Sequence, residues 1–294
     1  MKANRKKNKV IAVVGATASG KTAYAVELAK KLGGEIISAD SRLVYRGFDI
    51  GTAKPTMEER ESIPHYLIDI VEPEFDYSAA LWAKEAEKCI ECITSRGKVP
   101  IIAGGTGLYF RILLENYDLP QVEPNYELRR ELEAFSFDEL QARLALIDPE
   151  TAAKIEKNDR KKIIRALEIV ETLKLPMSKV RGFKSEGKYD VEWIGLNFPR
   201  EELYERINRR VDIMIEKGLV DETRRLLEKH GRIPNLTDTI GYREIIGYLD
   251  GKCTLEEACS ILKQNSRRYA KRQLTWFRKN PLIKWNVYPE LKLK

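Results

Sequence analysis

The sequence predicts an α/β fold in which helices cover a parallel sheet and an all-helical domain interrupts it. Three observations carry that expectation. Apolar runs of strand length alternate with helical patterns through the first third of the chain. A glycine loop joins the first run to the first helix. Strand signals then vanish after Asp118 and return near residue 191.

Residues 10–14 read as a buried strand, GATASGKT as a turn, and residues 21–32 as a helix that Gly33-Gly34 stops. Residues 35–39 form a second short strand ending in Asp40, and residues 66–70 a third apolar run. A long helix over residues 77–96 begins through Ser78 and ends at Gly97. Residues 99–103 form another strand, running into Gly104-Gly105-Thr106-Gly107. Strands alternating with helices give a parallel sheet covered on both faces, with ligands at the strand C-termini. Leu119-Pro120 and Pro124 then break the chain, and helical patterns fill residues 127–135, 137–146, 149–156 and 160–174. The expected division is a core of residues 1–117 and 191–294 with a helical insertion at 118–190. Helices over 200–217, 220–229 and 255–279 complete the core.

Of 294 residues 43% are hydrophobic, enough for a full core. The apolar run behind the basic start, residues 10–14, is shorter than the roughly 7–15 residues of a secretory core. No stretch approaches the roughly 18–20 apolar residues of a membrane span. Cys89 and Cys92 share a helix face, but no second pair follows, and Cys253 and Cys259 stand alone. That spacing fits reduced thiols in a cytoplasmic protein rather than a metal or disulfide site. The reading takes the chain as a monomer.

Gly15-Ala16-Thr17-Ala18-Ser19-Gly20-Lys21-Thr22 fits G-x-x-x-x-G-K-[ST] between a strand and a helix. The glycines let backbone N–H groups converge on one anion, and the helix N-terminus adds partial positive charge. Lys21 supplies an ammonium, and the Thr22 hydroxyl can hold Mg²⁺. The motif predicts a P-loop NTPase-like core that binds a di- or triphosphate. It does not say which, or whether a phosphate moves. The strand at 99–103 ends in Gly104 instead of the acid that motor-type relatives carry. The nearest strand-end acid is Asp40, which could hold Mg²⁺ through water, accept a proton, or cap a helix.

Charge is concentrated. The 52 basic and 45 acidic residues leave +7. Lys263, Arg267, Arg268, Lys271, Arg272, Arg278 and Lys279 fall in one acid-free helical stretch. Leu255, Leu262, Tyr269 and Trp276, seven apart, form its expected buried stripe. A solvated helix normally mixes signs, so the segregation points to a polyanion. Lys161-Lys162-Ile163-Ile164-Arg165 adds a smaller basic patch in the insertion.

Together these blocks resemble the bacterial tRNA dimethylallyltransferases, nearly end to end. DSRLVYRGFDIGTAKP from Asp40, HYLIDI from His65, IAGGTGLYFR from Ile102 and NDRKKIIRALE from Asn158 are similar to that family's signatures. So are GLVDE from Gly218, IGYRE from Ile240 and NSRRYAKRQLTWFR from Asn265. Ala16 stands where many members have Pro, and Leu43 where many have Gln. The resemblance implies transfer of dimethylallyl from its diphosphate to N6 of the adenine 3′ of the anticodon, at tRNA position 37, with Mg²⁺. It implies a tunnel that takes the diphosphate at one end and a flipped adenine at the other, and a clamp on the anticodon stem-loop. Asp40 would be the base and Thr106 a catalytic partner. Thr106 and Arg224 would lie near the diphosphate. Contacts to tRNA would come from Asp40, Ser41, Arg42, Leu43 and Thr106. Arg129, Lys161, Lys162, Ile163, Ile164 and Arg165 would join them, as would Gly241, Tyr242, Arg243, Arg268, Lys271 and Arg272.

Three other readings remain. Transfer to free AMP or ADP would leave the insertion and the basic helix unused. A small-molecule kinase would explain the phosphate loop but not that helix. A non-enzymatic RNA-binding protein would leave Asp40 and the GGTG turn idle.

Overall fold

A computed structural model describes residues 7–118, 120, 122–180, 182–183 and 187–287. Residues 1–6 of the basic start and Leu119 of the expected break lie outside the described residues. The chain divides into two compact units, Met1–Leu114 with Lys188–Lys294, and Glu115–Gly187. Each boundary falls three residues before the expected one. Leu114 and Tyr189 explain the shift in part, because both are buried in the core of the first unit.

In chain order the strands are β1 (Lys9–Gly15), β2 (Gly34–Ala39), β3 (His65–Tyr66), β4 (Val99–Gly104), β5 (Tyr117–Asp118), β6 (Gly182–Phe183), β7 (Asp190–Asn197) and β8 (Lys284–Val287). The first unit holds a six-stranded sheet in the order β3-β2-β4-β1-β7-β8, with every pairing parallel. β1 alternates between two cores, as period-two geometry requires. Val10, Ala12 and Val14 pack against the helix Ala79–Ser95, whereas Ile11 and Val13 pack against the helix Lys21–Leu32. Each such fully buried aliphatic contributes about 1.5–3 kcal/mol. Trp82 fills the first core, stacked on Tyr109 at 4.3 Å, with its indole N–H donating to Ser38 O at 2.9 Å. Parallel strands bring their C-terminal ends to one edge. The turns after β1, β2 and β4, three neighbours, therefore open together there.

A second core joins the loop carrying Val44, Tyr45 and Phe48 to the helices Arg200–Glu216, Leu219–His230, Tyr242–Leu249 and Leu255–Phe277. The second unit has its own core, built on Leu140, Leu144, Ile163 and Leu167. Its β5 and β6 pair antiparallel.

Two expectations need correction. The third apolar run is a strand only at His65–Tyr66, because Leu67 and Asp69 take left-handed backbone, φ 62° and 56°. The buried stripe of the basic helix is Ala258, Leu262, Ala270, Gln273 and Phe277, while Trp276 is 37% exposed. A seven-residue repeat drifts about 20° per heptad on a straight helix, so its last member rotates off the seam. The helices Gly107–Leu113 and Tyr242–Leu249 and the edge strand β8 add to the elements that the sequence pattern predicts.

Candidate active site

The phosphate loop is shaped by two left-handed residues. Gly20, φ 76°, ends the turn just before the helix Lys21–Leu32, a conformation only glycine adopts cheaply. Ala18, φ 61°, is held there by Arg206, whose Nε donates to Ala18 O at 2.9 Å. Among the described residues, the N–H groups of Ala18, Gly20, Lys21 and Thr22 take no backbone partner. Ser19 is 1% exposed, and its hydroxyl has no partner. A concave set of free donors fits an anion.

Its electrostatics say the same. Lys21 Nζ donates to Ala16 O at 2.5 Å. Burial, then the neighbouring Arg210, push its pKa down to about 7, against a smaller pull from Asp40. Arg210 is also lowered by burial, with Asp40 offsetting in part. It donates to Thr17 Oγ1 at 3.0 Å and to Thr52 O at 3.1 Å. Two partly buried cations facing one carboxylate leave the site short of negative charge.

Asp40 follows β2 and caps no helix. Its Oδ1 closes a turn, accepting from Arg42 N at 2.8 Å. Thr106 Oγ1 accepts from Ser41 N at 3.1 Å, and Thr106 N donates to Ala39 O at 3.1 Å. The β4 turn is thereby bolted to the Asp40 turn. Two cavities meet here. The narrow one, of ≈ 100 Å³, runs from Lys21 and Thr22 past Leu43, His65 and Ile68. The wide one, of ≈ 520 Å³, is walled by Ser41, Arg42, Arg243, Arg268 and Arg272. Asp40, Thr17, Thr52, Arg210 and Tyr269 border both. The Tyr269 phenol is pushed up first by burial and then by the charge of Asp40, so it stays a neutral donor.

Several expected residues lie elsewhere. Arg224 is exposed on the helix Leu219–His230, pairs with Asp221 at 2.6 Å, and borders neither cavity. The cations at the phosphate loop come instead from Arg206 and Arg210. Tyr242 is fully buried, and its hydroxyl donates to Glu222 Oε1 at 2.7 Å. Glu222 also accepts from Ile50 N and Gly51 N, both at 2.9 Å. Gly241 N donates to Glu244 Oε2 at 2.8 Å. Glu222 and Tyr242 therefore brace the Ile50–Gly51 turn, and of the expected Gly241, Tyr242 and Arg243 only Arg243 borders a cavity. In the second unit Ile163 and Ile164 are core residues, 0% and 7% exposed. Arg129 and Arg165 both bind the buried carboxylate of Glu168. Lys161 and Lys162 are exposed, and Lys162 pairs with Asp159 at 2.6 Å. Lys271 is exposed, and Lys263 pairs with Asp212 at 2.6 Å.

Sequence reasoning passes over Gln273 and Arg210. Gln273 is a polar residue in register with the buried Leu262, Ala270 and Phe277, which signals a buried partner. Arg206 and Arg210 lie four apart beside the buried Ile207 and Val211.

A family model described as IPP transferase matches residues 43–280. A tRNA dimethylallyltransferase of Carboxydothermus hydrogenoformans is 49% identical over 94% of this chain and 91% of its own length. The crystal structure of the tRNA isopentenylpyrophosphate transferase from Bacillus halodurans is 45% identical, with a TM-score of 0.72, covering 96% of this chain and 90% of that one. A eukaryotic dimethylallyltransferase solved acting on tRNA is 31% identical with a TM-score of 0.83, covering 97% and 75%. Matched over residues 43–280 by that family model, and near half identical to such relatives over almost its whole length, the chain belongs to the IPP transferase family.

Proposed function

We propose that the chain transfers a dimethylallyl group from dimethylallyl diphosphate to N6 of the tRNA adenine 3′ of the anticodon. The observation that carries this reading is the meeting of the two cavities at Asp40, Arg210 and Tyr269. The phosphate loop takes the diphosphate in the narrow cavity. The wide cavity, lined by Arg243, Arg268 and Arg272, takes the flipped base. The adenine N6 attacks the allylic carbon, the C–O bond breaks, and its electron pair leaves on pyrophosphate. Lys21, Arg210 and the free N–H groups face that developing charge. Asp40 stands where the cavities meet and takes the N6 proton.

Mg²⁺ fits the residues present. A Thr22 hydroxyl lining the narrow cavity and the unpartnered Ser19 hydroxyl are hard oxygen donors beside a phosphate cradle. Among the described residues no carboxylate and histidine cluster offers an all-protein cage, and a metal held chiefly by phosphate oxygens needs none. When bound, it would supply Lewis-acid stabilisation of the leaving diphosphate.

The test incubates the protein with unmodified anticodon stem-loop RNA, AMP, Mg²⁺ and either dimethylallyl diphosphate or ATP. A mass gain of one C5H8 unit on the RNA supports the reading. Modification of AMP but not RNA, or phosphate transfer from ATP, would replace it.

A further inference from the structure

Gln273 sits on the buried face of the helix Leu255–Phe277, 6% exposed. Arg268 and Arg272 of the same helix wall the wide cavity. Both ends of its amide are used, on two different turns. Oε1 accepts from Thr17 N in the phosphate loop at 2.8 Å, and Nε2 donates to Gly105 O in the β4 turn at 3.0 Å. A Cβ at Gly105 would lie 2.1 Å from Nε2, so that turn is shaped around the amide. The next residue, Thr106, bonds Ala39 and Ser41 on either side of Asp40. One side chain thus begins a bonded path from the phosphate loop to the proposed base.

We propose that Gln273 is a positioning residue. It holds the phosphate loop in its diphosphate-receptive shape and fixes that loop relative to the Asp40 turn. The proposal rests on the reading of the donor as an allylic diphosphate. Without the amide, the part-buried Thr17 N loses its acceptor and the buried Gly105 O loses its donor, so the two turns are no longer tied and the loop can fold onto its own carbonyls to pair Thr17 N. Lys21 already does so with Ala16 O. Gln273→Glu keeps the shape and the bond from Thr17. It turns an acceptor against Gly105 O and adds negative charge where an anion must arrive. Gln273→Met keeps much of the volume and removes both bonds. Gly105→Ala displaces the amide by contact while leaving Gln273 itself unchanged.

The experiment measures binding of inorganic pyrophosphate and of dimethylallyl diphosphate, binding of anticodon stem-loop RNA, melting, and steady-state kinetics for all three variants. Gln273→Met, which loses both bonds, is expected to weaken both diphosphates about tenfold. Gln273→Glu should weaken them further, and Gly105→Ala should match Gln273→Met. RNA affinity should stay within about twofold, and KM for dimethylallyl diphosphate should rise more than kcat falls. Unchanged pyrophosphate affinity in folded Gln273→Glu overturns the proposal. So does equal weakening of pyrophosphate and RNA, which marks a packing residue. If Gln273→Met melts below the assay temperature, the near-isosteric Gln273→Glu carries the test. Wild-type protein that binds neither diphosphate would overturn the donor reading, and the proposal with it.

Discussion

In the helix Arg160–Leu173 the motif arginine turns toward a buried acid, whereas in the helix Leu255–Phe277 two motif arginines turn toward a cavity. Arg165 shares Glu168 with Arg129, and Glu168 also accepts from Asn125 N at 2.6 Å. Burial is the largest single influence and pushes the Glu168 carboxyl up, but these attractions together outweigh it and hold the group below its ordinary range. Arg268 and Arg272 instead border the wide cavity, which Asp40 and Asp238 also line. Both helices carry basic motifs of the same family. An arginine facing an internal acid is part of the fold, and an arginine facing a cavity is available to a polyanion.

The largest expected effect tests the junction where the cavities meet. Asp40→Asn keeps the turn to Arg42 N and removes the proton acceptor. Transfer should fall by about 10²–10⁴ while RNA affinity stays within a few-fold, as single-turnover rates and filter binding would show. Near-normal turnover would remove Asp40 from the chemistry, and recovery with added Mg²⁺ would recast it as a metal holder.

Glu168→Ala breaks the comparison from the structural side. It leaves two partly buried guanidinium groups without their acid and should cost roughly 2–3 kcal/mol, allowing for their partial exposure. Denaturant melts of the Glu115–Gly187 unit would report this. An unchanged midpoint would show that these ion pairs are not what holds the unit together.

Neutralising Arg268, Lys271 and Arg272 together should weaken RNA binding and reduce its salt slope by about one for each phosphate no longer neutralised. Affinity for dimethylallyl diphosphate should hardly move. An unaltered slope would make this face a merely solvated one.

The smallest effect is a pH dependence. Lys21 has a folded pKa of about 7 against an ordinary 10.5. Between those values the unfolded chain holds a proton that the fold lacks, so this group's contribution to stability rises with pH across that window. Diphosphate favours the charged ammonium. Its affinity should therefore fall several-fold from pH 7 to about 8.5, with proton uptake on binding seen calorimetrically. Lys21→Ala should flatten that dependence.

What could be read in the sequence was what local chemistry fixes. The helix Lys21–Leu32 begins and ends as the glycine loop and Gly33 dictate. Ser78 caps Ala79–Ser95, accepting from Leu81 N at 3.1 Å. What escaped depends on partners far along the chain. Tyr242 looks like a surface motif residue until Glu222 and the Ile50–Gly51 amides are placed around it. Gln273 bonds across 256 residues to Thr17. β8 is a four-residue edge strand whose place is set by β7, not by its own pattern.

The antiparallel pairing of Tyr117 with Phe183 and Asp118 with Gly182 has a consequence for how the molecule folds. Without it, bringing β7 beside β1 must close a loop of roughly seventy-five residues after Leu114. Once β5 and β6 have paired, that loop is pinched to a few residues at its base. At about 0.6 kcal/mol per doubling of length, shrinking the loop from about seventy-five to about eight residues takes about 2 kcal/mol of closure entropy out of the pairing of β7 with β1. An inserted unit that folds first therefore meets this closure cost before the core assembles. Replacing Glu115–Gly187 by a short glycine-serine linker should leave the sheet able to form, with refolding at least as fast as that of the intact chain.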